Sequence, residues 1–266
     1  MPLRYEKTEG IATITIDNPP VNAFTPALHK DFAGILSDFL SDRTIRVGIL
    51  TASGERAFCA GDDIKSRRPE RTTGEIIDRH FFPRKDAASP EYPGYEAEVM
   101  KLCEERFKPI IAAVNGPVMG QGLVYLVQLT DIRIATPNSR FGLPEIAYGM
   151  GGSSGAMQLG RHIPPTAALW LALTGHAFSS EQALHSHLIN EIVAPDRLQD
   201  RAIEIAQIIA QHPALAVRTE MEAFYASQDL TRNQARAFTA HLYRLQRAAM
   251  DQSMPLAGGA HSTRTV

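Results

Sequence analysis

Three short stretches of this chain could together hold a negatively charged oxygen and move a proton. The first is Ala57-Phe58-Cys59-Ala60-Gly61-Asp62-Asp63-Ile64. The second is Asn115-Gly116-Pro117-Val118-Met119-Gly120-Gln121-Gly122. The third is Phe141-Gly142-Leu143-Pro144-Glu145. The first two follow strand-like runs, and the second leads into Leu123 to Leu129, which is apolar all round and reads as a buried helix. A helix start offers unpaired N–H groups and partial positive charge. Glycine lets a ligand approach the backbone closely. An N–H from the Gly120-Gln121-Gly122 turn and another from Ala60-Gly61 would make an oxyanion hole, in which each donor is typically worth about 2.7–4 kcal/mol of transition-state stabilisation. The Glu145 carboxylate could then take up a proton and return it. These are the parts needed to form an enolate from a thioester.

Other residues compete for a chemical role. Asp63 reads as a local acceptor that closes its own turn. Tyr148, three residues beyond Glu145, could orient a water or a substrate group. Gly151-Gly152-Ser153-Ser154-Gly155 fits the G-x-S-x-G pattern of a serine nucleophile, which needs a strand just before the serine. Ala147 to Met150 is a poor strand, so the stretch reads better as a glycine-rich loop with Ser153 or Ser154 capping a helix. Cys59 could attack a thioester, or be a small buried residue. Neither Cys59 nor Cys103 has a partner at metal-like spacing, and no metal is expected.

The elements that must position these groups follow from periodicity. Ile11 to Ile16 alternates β-branched residues and reads as a strand. Thr25 caps a helix to Leu40, with Pro26 at its first position and apolar residues at helical spacing. Val47 to Leu50, Ile110 to Val114 and Ile132 to Ala135 are short buried strands. Their alternation with helices predicts parallel pairing and an α/β core. Helices are expected over Thr166 to Leu173, Ser180 to Ser186, Asp196 to Gln211, Ala214 to Ala226 and Thr231 to Met250. Leu188 to Val193 interrupts them as a strand. The core is expected over residues 1–197, and a helical C-terminal segment over 198–266. Ser66 to Gly94 reads as a long loop, either a plain surface loop or a lid over the site. It carries Arg67, Arg68 and Arg71, which would face solvent or phosphates. His80 within it and Tyr95 just beyond are minor candidates.

The bulk numbers narrow the function class. With 27 Lys plus Arg against 29 Asp plus Glu in 266 residues, there is no global basic field for nucleic acid. Two cysteines are too few for a disulfide scaffold, and a reducing cytoplasm is expected. No apolar run is long enough to span a bilayer, and no signal-peptide pattern opens the chain.

In order and spacing the three motifs resemble the signatures of the enoyl-CoA hydratase/isomerase, or crotonase, family. The family's patterns are A-F-x-A-G-x-D-I, then N-G-x-x-x-G-G-G with a later D-I (here Asp131-Ile132), then F-G-x-P-E. The resemblance implies a spiral of ββα repeats with a helical C-terminal part that drives assembly into a homotrimer or homohexamer. It implies an acyl-CoA substrate, with coenzyme A as part of that substrate and no other cofactor. Val21, Ala23, Ala60, Gly61, Asp62, Asp63 and Ile64 would line the CoA channel. The thioester oxygen would sit between the N–H groups of Ala60 and Gln121, with Glu145 as the catalytic carboxylate. Two positions depart from the pattern. Gln121 replaces the central glycine of the second motif. Val124 stands where two-glutamate hydratases carry their first carboxylate. One glutamate suffices for double-bond isomerisation and weakens hydration or lyase chemistry without excluding it. The alternatives are an acyl-CoA thioester hydrolase and a non-catalytic acyl-CoA-binding or scaffold protein.

Overall fold

The computed structural model describes residues 2–66, 70–82, 94–104, 106–151 and 155–253. In chain order the elements are β1 (Leu3–Thr8), β2 (Ile11–Ile16), α1 (Pro26–Ser41), β3 (Val47–Ala52), α2 (Thr73–Phe81), α3 (Tyr95–Glu104), β4 (Ile110–Val114) and β5 (Val118–Met119). Then come α4 (Gln121–Leu129), β6 (Ile132–Ala135), β7 (Arg140–Gly142), a 3-10 turn over Pro144–Tyr148, α5 (Gly155–Leu159), α6 (Pro165–Thr174), β8 (Phe178–Ser179) and α7 (Ser180–His185). The described chain closes with β9 (Glu191–Ile192), a second 3-10 turn over Pro195–Arg197, α8 (Leu198–Ala210), α9 (Ala214–Ser227) and α10 (Arg232–Ser253).

The main sheet runs β1-β2-β3-β4-β6-β9, parallel from β2 onward, with β1 returning antiparallel to β2. Its central strands are buried on both faces, and the alternation of side chains sorts them into two cores. Leu50, Ala52, Ile110, Ala112 and Val114 join one core with Leu28, Phe32, Leu36 and Phe39 of α1 and with α4. Val47, Ile49, Ile111, Ala113 and Ile134 face the other way, onto Leu198, Ala202 and Ala206 of α8. Gly48 is the small residue that admits Phe39, since a Cβ there would lie 3.1 Å from its ring. A second sheet, β5-β7-β8, is too short for its strands to show in hydrophobic periodicity.

Two differences from the sequence reading have local causes. The compact units are Met1–Ala210 and Gln211–Val266, so the division falls after α8 and not before it. The stripe Leu198, Ala202, Ala206 covers a sheet face that would otherwise expose Val47, Ile49 and Ile111. Within the loop from Ser66 to Gly94, residues Thr73–Phe81 form a helix. Thr72 and Glu75 make a reciprocal capping box, with Thr72 N–H donating to Glu75 Oε2 at 2.7 Å and Glu75 N–H to Thr72 Oγ1 at 3.3 Å. Ile76, Ile77 and Phe81 on it are exposed.

The start of β4 is pinned by a buried ion pair. Arg106 Nη1 and Nη2 donate to Asp131 Oδ2 and Oδ1 at 2.7 and 3.0 Å, and Ile110 N–H donates to Asp131 Oδ2 at 2.7 Å. Removing one partner of such a pair typically costs about 3–5 kcal/mol. The acidic residue that ends the second sequence motif is therefore an architectural anchor.

Candidate active site

The first turn runs as an extended segment between two others. On one side, Phe58 and Cys59 N–H donate to Pro117 O at 2.9 and 3.2 Å, and Met119 N–H donates to Cys59 O at 2.9 Å. On the other, Ala60 N–H donates to Val21 O at 3.1 Å, Phe24 N–H to Gly61 O at 2.8 Å and Asp63 N–H to Phe24 O at 2.8 Å. The loop carrying Val21 and Phe24 is tied down by Asn22, a buried residue at φ 55°. Its Nδ2 donates to Ser53 O and Ala57 O at 3.0 and 2.8 Å. Nothing in the spacing of the sequence distinguished Asn22; its signal is a turn-favouring residue set among apolar ones after Asn18-Pro19-Pro20.

These bonds correct one sequence expectation. The Ala60 amide is used by Val21 O, so it is not available to an oxyanion. Phe24 is bonded on both sides of Asp62, and in a parallel bridge the intervening residue turns its own N–H the opposite way. The Asp62 amide is thereby directed to the side of the segment where Met119 to Gln121 runs. Gly61 keeps the two turns together. At φ +90°, a Cβ on it would lie 2.8 Å from Met119 O and 3.2 Å from Gln121 N.

The second turn ends β5 and starts α4. Gly120, at φ 55° and ψ −128°, is the N-cap. Its N–H donates to Gly142 O at 2.9 Å, and its carbonyl accepts from Leu123 and Val124 N–H at 2.9 and 3.1 Å. The left-handed conformation falls on this glycine, while Gln121 is the first helical residue and sits outside that region. A Cβ at position 121 therefore costs no backbone strain, and the helix leaves the Gln121 N–H without an intrahelical acceptor. Gly122 is required for another reason: a Cβ there would lie 2.6 Å from Cys59 Sγ.

Glu145 comes from the 3-10 turn after β7, started by Pro144. Its carboxylate lies over the second turn, so that a Cβ on Gly120 would stand 3.0 Å from Glu145 Oε1. Glu145 Oε2 is buried and has no hydrogen-bond partner among the described residues. Leaving a buried polar atom unsatisfied typically costs about 1–3 kcal/mol. Val124 is buried on α4, and both it and Leu143 crowd Gly155, where an added Cβ would lie 3.3 Å from Val124 and 3.1 Å from Leu143. Tyr148, at the far end of the Glu145 turn, is 71% exposed.

The remaining candidates separate clearly. Asp63 accepts from Lys65 N–H at 3.0 Å and Ser66 Oγ at 2.8 Å, closing its own turn. Val21 and Ala23 are half-buried beside the first turn. Ile64 is 83% exposed, an apolar side chain left in solvent next to the site. Ser153, Ser154, Arg67 and Arg68 lie outside the described residues, as does the His80 side chain. Arg71 is exposed. Tyr95 starts α3, with Lys30 Nζ 5.9 Å from its ring centre. The described residues that resemble metal ligands are His29, Asp62 and Glu96, whose ligating atoms lie within 4.8 Å of one another. His29 Nε2 and Asp62 Oδ1 in this group are already hydrogen-bonded at 3.1 Å. His29 escaped the sequence reading because it sits on the apolar stripe of α1, where a lone polar residue is easily passed over.

Cys59 is fully buried, and burial pushes its thiol up to about 12. The nucleophilic thiolate is therefore almost absent at neutral pH. Iodoacetamide at pH 8 should leave Cys59 unmodified in the folded protein and alkylate it once denatured, as read by peptide mass mapping. Rapid labelling of the folded protein with parallel loss of turnover would restore Cys59 as a nucleophile.

Comparison with known proteins gives the family. A family model described as enoyl-CoA hydratase/isomerase matches residues 6–256. The chain is 32% identical to the (E)-benzylidenesuccinyl-CoA hydratase of Thauera aromatica over 232 residues, 86% of this chain and 84% of that protein. It is 30% identical to the carnitinyl-CoA dehydratase of Shigella flexneri over 229 residues, 86% of this chain and 82% of that one. The solved enoyl-CoA hydratase from Bacillus anthracis is similar at a TM-score of 0.79, with 28% identity, over 92% of this chain and 90% of that chain. Such neighbours carry the crotonase fold, and the α/β core with a helical C-terminal segment expected from sequence is what the structure has.

Proposed function

Because this chain belongs to the enoyl-CoA hydratase/isomerase family, we propose that it forms an enolate from an acyl-CoA thioester with Glu145 as its single proton carrier. The observation that carries this reading is the buried Glu145 Oε2, unpartnered among the described residues, beside the glycine turn that starts α4. The thioester oxygen sits between the amides of Asp62 and Gln121, at a point where α4 adds its positive end.

The reaction is hydration of an enoyl-CoA or its reverse. The Thauera aromatica and Shigella flexneri relatives, named as a hydratase and a dehydratase, support this direction. In hydration, Glu145 takes a proton from water as the water oxygen bonds to the β-carbon. The double-bond electrons move to the thioester oxygen, and the two amides hold the resulting enolate. Glu145 then returns its proton to the α-carbon. The buried apolar Val124, in place of a second carboxylate, favours a second reading in which the same glutamate shifts the double bond without water. An assay of 2-enoyl-CoA and 3-enoyl-CoA in heavy-oxygen water separates them by mass. Gain of one labelled water identifies hydration, and a moved double bond at unchanged mass identifies isomerisation. Inertness toward both would leave the non-catalytic acyl-CoA binder. Release of free CoA would leave the thioester hydrolase.

Ile64, exposed beside the first turn, together with Val21, Ala23, Gly61 and Asp63, forms the CoA channel in this reading. Coenzyme A enters as part of the substrate, with no separate cofactor. The unpaired thiols Cys59 and Cys103 fit a reducing cytoplasm. No helix among the described residues is long and apolar enough to cross a membrane. On α6, Leu169, Trp170 and Leu173 are exposed, and α9 buries none of its side chains. Apolar faces of this kind fit a homotrimer or a dimer of trimers. Sedimentation equilibrium should give three or six chains, and a monomer at micromolar concentration would remove that assignment.

A further inference from the structure

One side chain of α1 stands between the two segments that carry the amide donors. His29 is fully buried on the face that also presents Leu28, Phe32, Leu36 and Phe39. A buried imidazole is costly unless its nitrogens find partners. His29 Nδ1 lies 2.7 Å from Tyr125 Oη, and Nε2 lies 3.1 Å from Asp62 Oδ1. Asp62 belongs to the first turn. Tyr125 lies four residues beyond Gln121, one turn along α4. The three groups are further boxed in by Phe24, whose ring centre is 5.0 Å from His29 and 5.5 Å from Tyr125. Glu96 Oε1 of α3 stands 3.9 Å from the same His29 Nε2.

We propose that His29 is a positioning residue that sets the spacing between the Asp62 and Gln121 amides, so that both converge on one thioester oxygen. The proposal rests on the oxyanion-hole reading given above. Its physical basis is that the direct pairing of the two donor segments is a single bridge, Cys59 to Val118, which ends with the Met119 N–H to Cys59 O bond, short of both Asp62 and Gln121. Asp62 sits at the end of a single β-bridge to Phe24, and Gln121 is the first residue of its helix. His29 spans the gap with two hydrogen bonds from a rigid ring, itself fixed in the core of α1. The partners dictate its proton. An ionised Asp62 can only accept, so Nε2–H donates to it, and in the neutral ring Nδ1 accepts from the Tyr125 hydroxyl. Burial raises the Tyr125 phenol well above its ordinary value, so the hydroxyl keeps the proton it donates. Such an arrangement transmits to chemistry through geometry alone, and displacing one donor by about 1 Å is enough for roughly a 10²-fold loss of rate.

The test uses the full-length enzyme, the variants His29→Leu and Tyr125→Phe, and butyryl-CoA carrying ¹³C at its carbonyl. That saturated thioester is not turned over, and its carbonyl stretch falls in frequency when an oxyanion hole polarises it. The expected result is a clear downshift in the wild type that shrinks to about half or less in both variants, with kcat on an enoyl-CoA falling about 10²-fold in His29→Leu. KM should change by less than about threefold, because CoA contacts are made elsewhere. Tyr125→Phe is nearly isosteric and decides the matter if His29→Leu does not fold. A full downshift and unchanged kcat in folded variants, with only a lower melting temperature, would reduce His29 to core packing and overturn the proposal alone. No downshift in the wild type would overturn the oxyanion-hole reading, and the proposal with it.

Discussion

Replacing Glu145 by Gln should lower kcat by about 10²–10⁴-fold, the range of a positioned general acid–base, while affinity for a CoA thioester stays within about threefold. The side chain keeps its shape and loses only its capacity to carry a proton. The structure adds a second expectation. Glu145 Oε2 is buried and makes no hydrogen bond among the described residues, so it contributes none to stability. Replacing it by an amide breaks no hydrogen bond of that oxygen, so the variant should melt close to the wild-type temperature. Loss of activity with retained stability is the signature of a group kept for chemistry. Stopped-flow turnover, a fluorescence titration with a CoA thioester and a thermal melt give the three readings. Turnover within about tenfold of wild type would remove Glu145 as the proton carrier.

Gly61→Ala should lower kcat by about 10²–10³-fold, comparable to losing one oxyanion donor. Two costs coincide at this position. The backbone sits at φ +90°, which residues with a Cβ rarely adopt, and the added methyl would meet Met119 O at 2.8 Å and Gln121 N at 3.2 Å. Both neighbours are backbone, and they belong to the segment that carries the second donor. The collision is relieved only by moving the two turns apart, which is the displacement the hole tolerates least. Gly54→Ala provides the control. It has a similar φ of +80° but nothing within 4 Å of its added methyl. Both variants should lose stability from backbone strain, of order 1–3 kcal/mol, and only Gly61→Ala should lose turnover. Equal kcat in the two variants would show that closeness of the turns is irrelevant to catalysis.

Much of this protein is legible in its sequence because the deciding interactions are local. Pro26 and the Thr25 cap, where Leu28 N–H donates to Thr25 Oγ1 at 3.2 Å, announce α1. Doubly buried strands appear as the apolar runs Val47 to Leu50 and Ile110 to Val114. The helix over Thr73–Phe81 was equally legible, since Thr72 and Glu75 spell its capping box three residues apart, and reading the stretch as loop missed that signal. The order of the three motifs and the place of Glu145 within them were open to the same kind of reading.

What the sequence does not contain is the choice of partner between distant segments. The donor role assigned to Ala60 fails because Val21, thirty-nine positions earlier, takes its N–H, and only the register of the two segments decides that. The replacement of the motif's central glycine by Gln121 carries no conformational burden, because the positive φ falls on Gly120 and α4 starts at Gln121, two residues before the apolar run from Leu123. His29 and Asn22 reach Tyr125, Asp62, Ser53 and Ala57, and α8 finds its sheet, across separations at which periodicity carries no information. Propensity and turn chemistry act between neighbours along the chain, so residue order alone determines them. Which amide is spent, which carboxylate is left unsatisfied and which ring joins two turns are settled only when the packed core brings those segments together.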